Sequence, residues 1–315
     1  VHVTPEAWAT VLFCGSGTIA MDACVSSLVP ADGKLLIVNN GAYSARAAEM
    51  ARAYSVPHID LTFPIDGLPD LAVIEDTLKK HPEITAVYTT HQETGTGILN
   101  PVREIGALAH AHGAICIADT ISTFAMIPID AAEMNIDALM SSAQKGIQGM
   151  TGLSFVLARK SVLDAAAHNP VRSYYTNLVM QYEGFEKTGE MRFTPPVQVV
   201  YAAKRALAEY FAEGETKKWA RHTRVMNAIH EGLESLGLEE AIPREIQSGL
   251  VAAVRYPDDP HFDFTRVHDY CYERGFTIYP GKMQTEKTFR LCSLGAIDVP
   301  DIAAFFHVLE DAMKA

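Results

Sequence analysis

The sequence lacks any apolar run that approaches eighteen residues, the length that a membrane-spanning helix needs. Internal repeats and low-complexity tracts are also missing. The first residues, Val1-His2-Val3-Thr4-Pro5, resemble neither a signal peptide nor a basic transit segment. We therefore expect a globular chain with neither a membrane span nor a leader segment.

Basic residues are scarce relative to acidic ones: Lys and Arg total 26, Asp and Glu total 38, and the net charge is −12. An acidic chain argues against nucleic acid or an anionic membrane as the main partner. A small anionic substrate is not excluded, because one local arginine can override the overall field.

Cysteine is sparse too, with five residues and no pair at Cys-x-x-Cys spacing. The odd number argues against a disulfide framework, and the spacing argues against a zinc site. We expect reduced, mostly buried thiols, a cytoplasmic protein and no bound metal.

The chain has ample material for a core, since 48% of its 315 residues are hydrophobic. Short β-type runs alternate with helical patterns in the first half, which predicts a mainly parallel sheet between helices. The predicted strands there are 11–14, 34–38, 85–90, 114–118, 137–140 and 154–157. The predicted helices there are 18–28, 42–54, 71–80 and 102–112.

The second half changes character after Arg192-Phe193-Thr194-Pro195-Pro196. Two long helices are predicted at 197–212 and 215–236. They precede an α+β segment with strands near 250–255, 277–279 and 288–292 and helices near 264–273 and from 300. This pattern predicts an α/β large domain over residues 1–195 and a smaller α+β domain over residues 196–315.

Three features in a fixed order could carry chemistry. Gly15-Ser16-Gly17-Thr18 lies between a strand and a helix, where backbone N–H groups can hold an anion. Asp119 ends the most apolar strand, at the sheet edge where parallel sheets bind ligands. Lys145 follows the next buried strand among small residues and glycines.

Each feature alone is weak, because such residues are more often a turn, a helix cap and a solvated lysine. Together they match what pyridoxal phosphate (PLP) requires: a phosphate site, a carboxylate for the pyridine nitrogen and a lysine that binds the cofactor covalently. The combination predicts a PLP enzyme.

The chain resembles the class V aminotransferases among the fold-type I PLP enzymes. Most of all it looks like the members that transfer an amino group from 2-aminoethylphosphonate to pyruvate. The first-half motifs of the resemblance are Gly15-Ser16-Gly17-Thr18, Asn40-Gly41-Ala42-Tyr43, His91-Gln92-Glu93-Thr94-Gly95-Thr96-Gly97, Leu99-Asn100-Pro101, Asp119, Ser141-Ser142-Ala143-Gln144-Lys145 and Ile147-Gln148-Gly149. In the second half they are Arg192-Phe193-Thr194, Tyr279-Pro280-Gly281-Lys282 and Phe289-Arg290.

This resemblance implies a role for each matching residue. Ser16, Gly17 and Thr18 bind the cofactor phosphate, with Gln144 adding a hydrogen bond nearby. Asp119 pairs with the pyridine nitrogen, and Lys145 binds the cofactor and moves the proton.

The remaining implied roles concern the cofactor ring, the partner subunit and the substrate. Tyr43 stacks on the pyridine ring, and Thr94 approaches its phenolic oxygen. Thr194 reaches the cofactor phosphate of the neighbouring subunit, so the resemblance implies a homodimer with shared active sites. Arg290 grips the acid group of the substrate, since a guanidinium suits carboxylate and phosphonate equally.

The chain also departs from the family pattern. It has Ser44 where relatives have Gly, Thr151 where they have Pro, and Leu291-Cys292-Ser293-Leu294-Gly295 after the arginine instead of Ile-Gly-Asn-Ile-Gly. The last change leaves open an alanine– or serine–glyoxylate, or –pyruvate, aminotransferase. Relatives carry several dozen residues before the Gly-Ser-Gly turn, against fourteen here, so we expect a large domain whose N-terminal segment is missing or short.

Two other functions fit the sequence less well. A nicotinamide oxidoreductase needs a dinucleotide turn and an acidic residue about twenty positions later, which Gly15-Ser16-Gly17 does not provide. A cysteine desulfurase needs a cysteine in a polar, glycine-rich loop, and none is found.

Overall fold

The computed structural model describes residues 1–283 and 286–314, so residues 284, 285 and 315 of the predicted C-terminal domain lie outside the described residues. The strands of its main sheet are β1 (Trp8–Cys14), β2 (Lys34–Asn39), β3 (His58–Thr62), β4 (Ile84–Thr90), β7 (Ile115–Asp119), β8 (Ala138–Ser142) and β9 (Leu153–Arg159). The strands outside it are β5 (Gln92–Glu93), β6 (Ile98–Leu99), β10 (Val251–Arg255), β11 (Tyr279–Pro280) and β12 (Thr288–Cys292).

The helices are numbered in chain order. They are α1 (Gly17–Ser27), α2 (Ala42–Ala53), α3 (Leu71–Lys80), α4 (Val102–Ala111), α5 (Lys160–Ala166), α6 (Leu178–Thr188), α7 (Val197–Glu213), α8 (Glu215–Ser235), α9 (Phe264–Tyr272) and α10 (Val299–Lys314). None of the helices in the described part of the chain is long and apolar enough to cross a membrane.

The main sheet has the order β1-β9-β8-β7-β4-β2-β3, and β9 runs in the direction opposite to the other six strands. Apolar residues on β2 alternate between the faces, so Leu35 and Ile37 pack with α1 and α2 while Leu36 and Val38 pack with α3 and α4. Because both faces are covered, the strands are near-continuous apolar runs. The prediction of a mainly parallel sheet between helices is confirmed.

The C-terminal part has its own core. The antiparallel sheet β10-β12-β11 packs with α8, α9 and α10 around buried apolar side chains that include Phe289, Leu291 and Phe305. This confirms the predicted smaller α+β part. The division at residue 195 stays a prediction.

The sequence did not predict five of these strands and helices, namely β3, β5, β6, α5 and α6. The strand expected at 277–279 is instead β11, at Tyr279–Pro280. Of these, β3 has an edge position and no buried residue, so it lacks the apolar run that marks the inner strands.

Candidate active site

Three neighbouring strands bring the site together at their carboxyl ends. Thr90 at the end of β4 is paired with Asp119 at the end of β7, and Asp119 is paired with Met140 of β8. Lys145 follows shortly after β8 ends, in the turn that leads toward β9. Parallel strand register therefore sets Asp119 and Lys145 at one edge of the sheet.

The N-terminus of α1 forms one wall of the cavity at this edge. Ser16 is the N-cap and makes no side-chain capping bond, and no acidic residue occupies the first turn. A Cβ on Gly17 would lie 2.8 Å from Cδ1 of Ile121, so only glycine fits there without displacement of that side chain. The exposed backbone N–H groups and the positive helix end suit an anion such as a phosphate.

Asp119 is a buried carboxylate, with 3% of its surface exposed. Its Oδ1 accepts from the Ile121 backbone N–H at 2.9 Å, and its Oδ2 accepts from the Tyr88 hydroxyl at 3.3 Å. Burial raises the pKa of Asp119 to about 6. No salt bridge to it occurs among residues 1–283 and 286–314, so the carboxylate suits a ligand group that brings a positive charge.

The N-terminus of α2 positions the aromatic wall. Glu93 is fully buried and accepts from the backbone N–H groups of Tyr43 at 3.1 Å and Ser44 at 2.8 Å. The Tyr43 ring lines the cavity, and the Arg46 guanidinium lies 5.1 Å from its centroid. Arg46 also donates to Oγ1 of Thr18 at 3.3 Å, which adds a positive charge beside the anion wall.

Several polar atoms around the cavity lack partners. The Oε1 of Gln144, both side-chain polar atoms of Gln92 and Oγ1 of Thr90 are buried without a hydrogen bond. Within the described residues, the Lys145 amine forms neither a salt bridge nor a hydrogen bond, although it lines the same cavity. Buried polar groups are normally satisfied, so these residues fit a polar ligand that carries a phosphate and a cationic ring nitrogen.

A second lysine supports the turn that carries Lys145. Lys218 of α8 is 1% exposed and donates to the backbone carbonyl of Gly146. Its Nζ also lies 5.1 Å from the ring centroid of Tyr210. Burial lowers the pKa of Lys218 to about 8. Lys218 therefore ties the C-terminal part of the chain to the segment next to Lys145.

Arg290 lies at the rim of the cavity on β12. It donates through Nη1 to the Thr94 carbonyl at 3.0 Å and through Nε to the Pro280 carbonyl at 3.1 Å. These two bonds orient the guanidinium and leave Nη2 without a hydrogen bond to any described residue. The planar fork suits an acid group.

The structure gathers most of the predicted site residues and separates two of them. Those that line the cavity are Ser16, Gly17, Thr18, Tyr43, Thr94, Asp119, Gln144 and Lys145. Arg290 reaches the cavity only through its bond to Thr94. Thr194 is exposed and does not line it, and its predicted role concerns a neighbouring subunit.

The sequence analysis gave no role to several residues that the structure brings to this site. Arg46 and Gln92 line the cavity, Glu93 anchors α2, and Lys218 supports the Lys145 turn. Arg46 could have been found, since it lies one helical turn after Tyr43. The contact of Lys218 joins residues 72 positions apart, which no local pattern reveals.

Comparison with known proteins gives a family and named relatives. Residues 5–270 match the model of the aminotransferase class-V family. A 2-aminoethylphosphonate–pyruvate transaminase of Lactiplantibacillus plantarum is 38% identical over 313 residues, which cover 98% of this chain and 85% of the relative. The same enzyme of Burkholderia ambifaria is 36% identical over 302 residues, covering 96% and 81%.

Solved structures show the same fold. The pyridoxamine–pyruvate aminotransferase of Mesorhizobium loti aligns with a TM-score of 0.88 and 27% identity, over 97% of this chain and 79% of that one. The alanine–glyoxylate aminotransferase of a Nostoc species gives 0.89 and 24% identity, over 98% and 82%. At that lower identity the likeness bears on the fold alone. The predicted fold-type I architecture is confirmed.

Proposed function

The chain belongs to the class-V aminotransferase family, and we propose that it transfers the amino group of 2-aminoethylphosphonate to pyruvate, which gives phosphonoacetaldehyde and alanine. The observation that carries this proposal is one cavity in which an unpaired lysine, a buried carboxylate and a helix N-terminus meet below an arginine at the rim. Relatives named for this reaction support the choice of substrates.

The cofactor is pyridoxal phosphate, which when bound draws electron density from the carbon that carries the amine. We propose that Ser16, Gly17 and Thr18 hold its phosphate, with Gln144 and Arg46 adding polar contacts. The carboxylate of Asp119 would keep a proton on the pyridine nitrogen. Tyr43 would cover the ring, and Thr94 would lie near its phenolic oxygen.

Lys145 would bind the cofactor and then act as the base that removes a proton from the amine-bearing carbon. Its amine has no acidic partner in the described structure, so no salt bridge has to break before it reacts. Arg290 would hold the acid group of each substrate in turn, which fixes the reacting carbon in front of Lys145.

We further propose a homodimer in which Thr194 contacts the cofactor site of the neighbouring subunit. Support comes from exposed aromatic side chains close to Thr194 in the chain and in space. Phe193 packs on Tyr174 and Tyr175 with centroid distances of 5.8 and 4.9 Å, and both tyrosines are exposed. On α7, Tyr201 is 69% exposed. Such a group of exposed apolar side chains is typical of a protein interface.

The proposed location is the cytoplasm. All five cysteines are free thiols in the structure, which suits a reducing compartment.

Absorbance of the purified protein with PLP tests the proposal. We expect a yellow band that 2-aminoethylphosphonate bleaches without pyruvate and that pyruvate then restores, because the reaction runs in two halves. Lys145→Ala should bind PLP yet show no turnover, and normal activity in that variant would contradict the proposal. Light scattering on the same sample reports the mass, and the monomer value of 34.4 kDa would contradict the dimer.

The same titration separates the runner-up function. A band that ignores 2-aminoethylphosphonate but bleaches with alanine or serine would assign the chain to the alanine– or serine–glyoxylate, or –pyruvate, aminotransferases. The segment that bears on this choice is 291–295, whose first residues continue β12 directly after Arg290.

A further inference from the structure

A lysine with no assigned role lies beside the proposed acid site. The Nζ of Lys282 is 5.2 Å from the ring centroid of Tyr43, the aromatic wall of the cavity. Its Cβ lies 3.4 Å from the position that a Cβ on Gly95 would take, so the lysine stem packs against that glycine. Lys282 therefore lies beside the aromatic wall of the cavity, although 239 positions separate it from Tyr43 in the sequence.

The hairpin of β11 and β12 brings Lys282 and Arg290 to the same segment of the predicted large domain, at Thr94 and Gly95. Pro280 is paired with Phe289, and the Gly281 backbone N–H donates to the Thr288 carbonyl at 2.7 Å. Arg290 binds the carbonyl of Thr94, and Lys282 packs on the next residue, Gly95. Two cations thus flank one short stretch of the cavity wall.

Neither cation has an acidic partner in the described part of the chain. Within residues 1–283 and 286–314, no carboxylate forms a salt bridge with Lys282 or Arg290. The protein as a whole carries a net charge of −12, which opposes the approach of an anion. These two cations therefore make the rim locally positive on an acidic protein, and a positive rim suits an anionic group.

The chemistry of the two substrate acids differs in charge. A carboxylate has one negative charge and two oxygens, which a single bidentate arginine satisfies. A phosphonate, like a phosphate ester, has three oxygens and approaches two negative charges near neutral pH. A lysine suits the additional charge, because its ammonium group acts as a mobile point charge at phosphoryl groups.

We propose that Lys282 is the second cation of the acid site and selects a phosphonate over a carboxylate. This inference rests on the proposed function. Lys282 then contributes when 2-aminoethylphosphonate binds and adds little when alanine or pyruvate binds. Arg290 serves both.

The test compares two unreactive ligands that differ only in the acid group, 2-hydroxyethylphosphonate and 3-hydroxypropionate. Calorimetry on the PLP-loaded enzyme gives the Kd of each for wild type, Lys282→Gln, Lys282→Arg and the control Lys287→Gln. Lys287 is an exposed lysine of the same hairpin. We expect Lys282→Gln to weaken the phosphonate about 10-fold and the carboxylate less than about 2-fold.

The other variants complete the test. Lys282→Arg should restore most of the phosphonate affinity, and Lys287→Gln should leave both Kd values unchanged. Equal weakening of both ligands by Lys282→Gln, or no weakening of the phosphonate, would overturn the inference. Wild-type enzyme that 2-aminoethylphosphonate does not bleach would instead contradict the proposed function, while the ligand pair still reports on Lys282.

Discussion

The cavity has two walls of different construction. The sheet-edge wall consists of strand ends and helix starts, and its key groups are buried: Asp119 is 3% exposed and Glu93 is fully buried. The hairpin rim consists of β11, β12 and the described residues between them, 281–283 and 286–287. Lys282 is exposed there, and Arg290 is held by two backbone carbonyls.

This difference separates two tasks. Groups fixed by strand register and burial can hold a cofactor whose chemistry is the same for every amine. In the proposed function, groups on the short exposed hairpin would meet the variable end of the substrate. We therefore expect changes in the sheet-edge wall to slow all amino donors equally, whereas changes at the rim discriminate between donors.

After Lys145→Ala, the largest loss of turnover is expected from Asp119→Asn. Asparagine keeps the shape and still accepts from the Ile121 N–H, but it lacks the charge that would stabilise a proton on the pyridine nitrogen. Turnover should fall by ~10²–10³-fold, the loss typical of one preorganised electrostatic contact. Stopped-flow absorbance should give the same factor for 2-aminoethylphosphonate and for alanine. A loss confined to one donor would break the division between wall and rim.

In the cofactor-free protein, Asp119→Asn should also change how the free energy of unfolding depends on pH. Because the pKa of Asp119 is raised to about 6, the folded state holds a proton that the unfolded chain releases near its ordinary pKa of 3.8. The stability from this group is present at low pH and is lost as the pH rises through about 6. Urea unfolding should find Asp119→Asn more stable than wild type at pH ~8 by about 1–3 kcal/mol. Equal stability at pH ~8 would contradict the raised pKa.

A smaller loss is expected from Lys218→Met, which sharpens the comparison because Lys218 comes from the C-terminal part yet contacts the sheet-edge wall. Without its bond to the Gly146 carbonyl, the turn that carries Lys145 is held less firmly. Turnover should fall about 3- to 10-fold for both donors, less than the ~10²-fold that a 1 Å misplacement can cause. The exposed neighbour Lys217→Met is the control.

Lys218 also predicts a pH effect on stability. Burial lowers its pKa to about 8 from 10.5, so the folded state loses this proton before the unfolded chain does. Wild type should gain stability as the pH rises from about 8 to about 10.5, and Lys218→Met should lack that gain. Urea unfolding across this range measures both. In the turnover measurement, a changed ratio of the rates for 2-aminoethylphosphonate and alanine would mean that Lys218 acts with the hairpin rim instead.

The sequence allowed the sheet-edge wall to be predicted well, because an apolar run with a polar end specifies both a strand and the edge it reaches. Asp119 and Lys145 were found in that way. The family motifs supplied Tyr43, Thr94 and Gln144. The rim was less predictable, since the approach of Lys282 to Tyr43 depends on how the C-terminal part packs across the sheet.

The secondary-structure predictions also succeeded where the local pattern was clear and failed elsewhere. Helix α3 and strand β12 have the predicted bounds, because both carry a clear apolar pattern. Helix α6 was missed: it contains Gly184, and it buries only Leu178, Val179 and Gln181. In the fold it packs against β1, α1 and α5.

The smallest effect is expected from Ser44→Ala, at the start of α2. The Ser44 hydroxyl donates to Oε1 of Glu93 at 2.7 Å and accepts from the Gly41 N–H at 3.1 Å, so it helps to fix the start of α2. Two backbone N–H groups still hold Glu93 in the variant. We expect a loss of about 1 kcal/mol in the free energy of unfolding.

Thermal unfolding should show this loss as a fall in Tm of about 1–2 °C. Ser235→Ala, which removes an exposed hydroxyl bond to Gly232, should change stability by less than about 0.5 kcal/mol. Because Tyr43 keeps its backbone bond to Glu93, Ser44→Ala should leave the ratio of rates for 2-aminoethylphosphonate and alanine unchanged. A changed ratio would mean that the start of α2 also helps to select the substrate, and the boundary between wall and rim would then run through Tyr43, which Lys282 and Arg46 both contact.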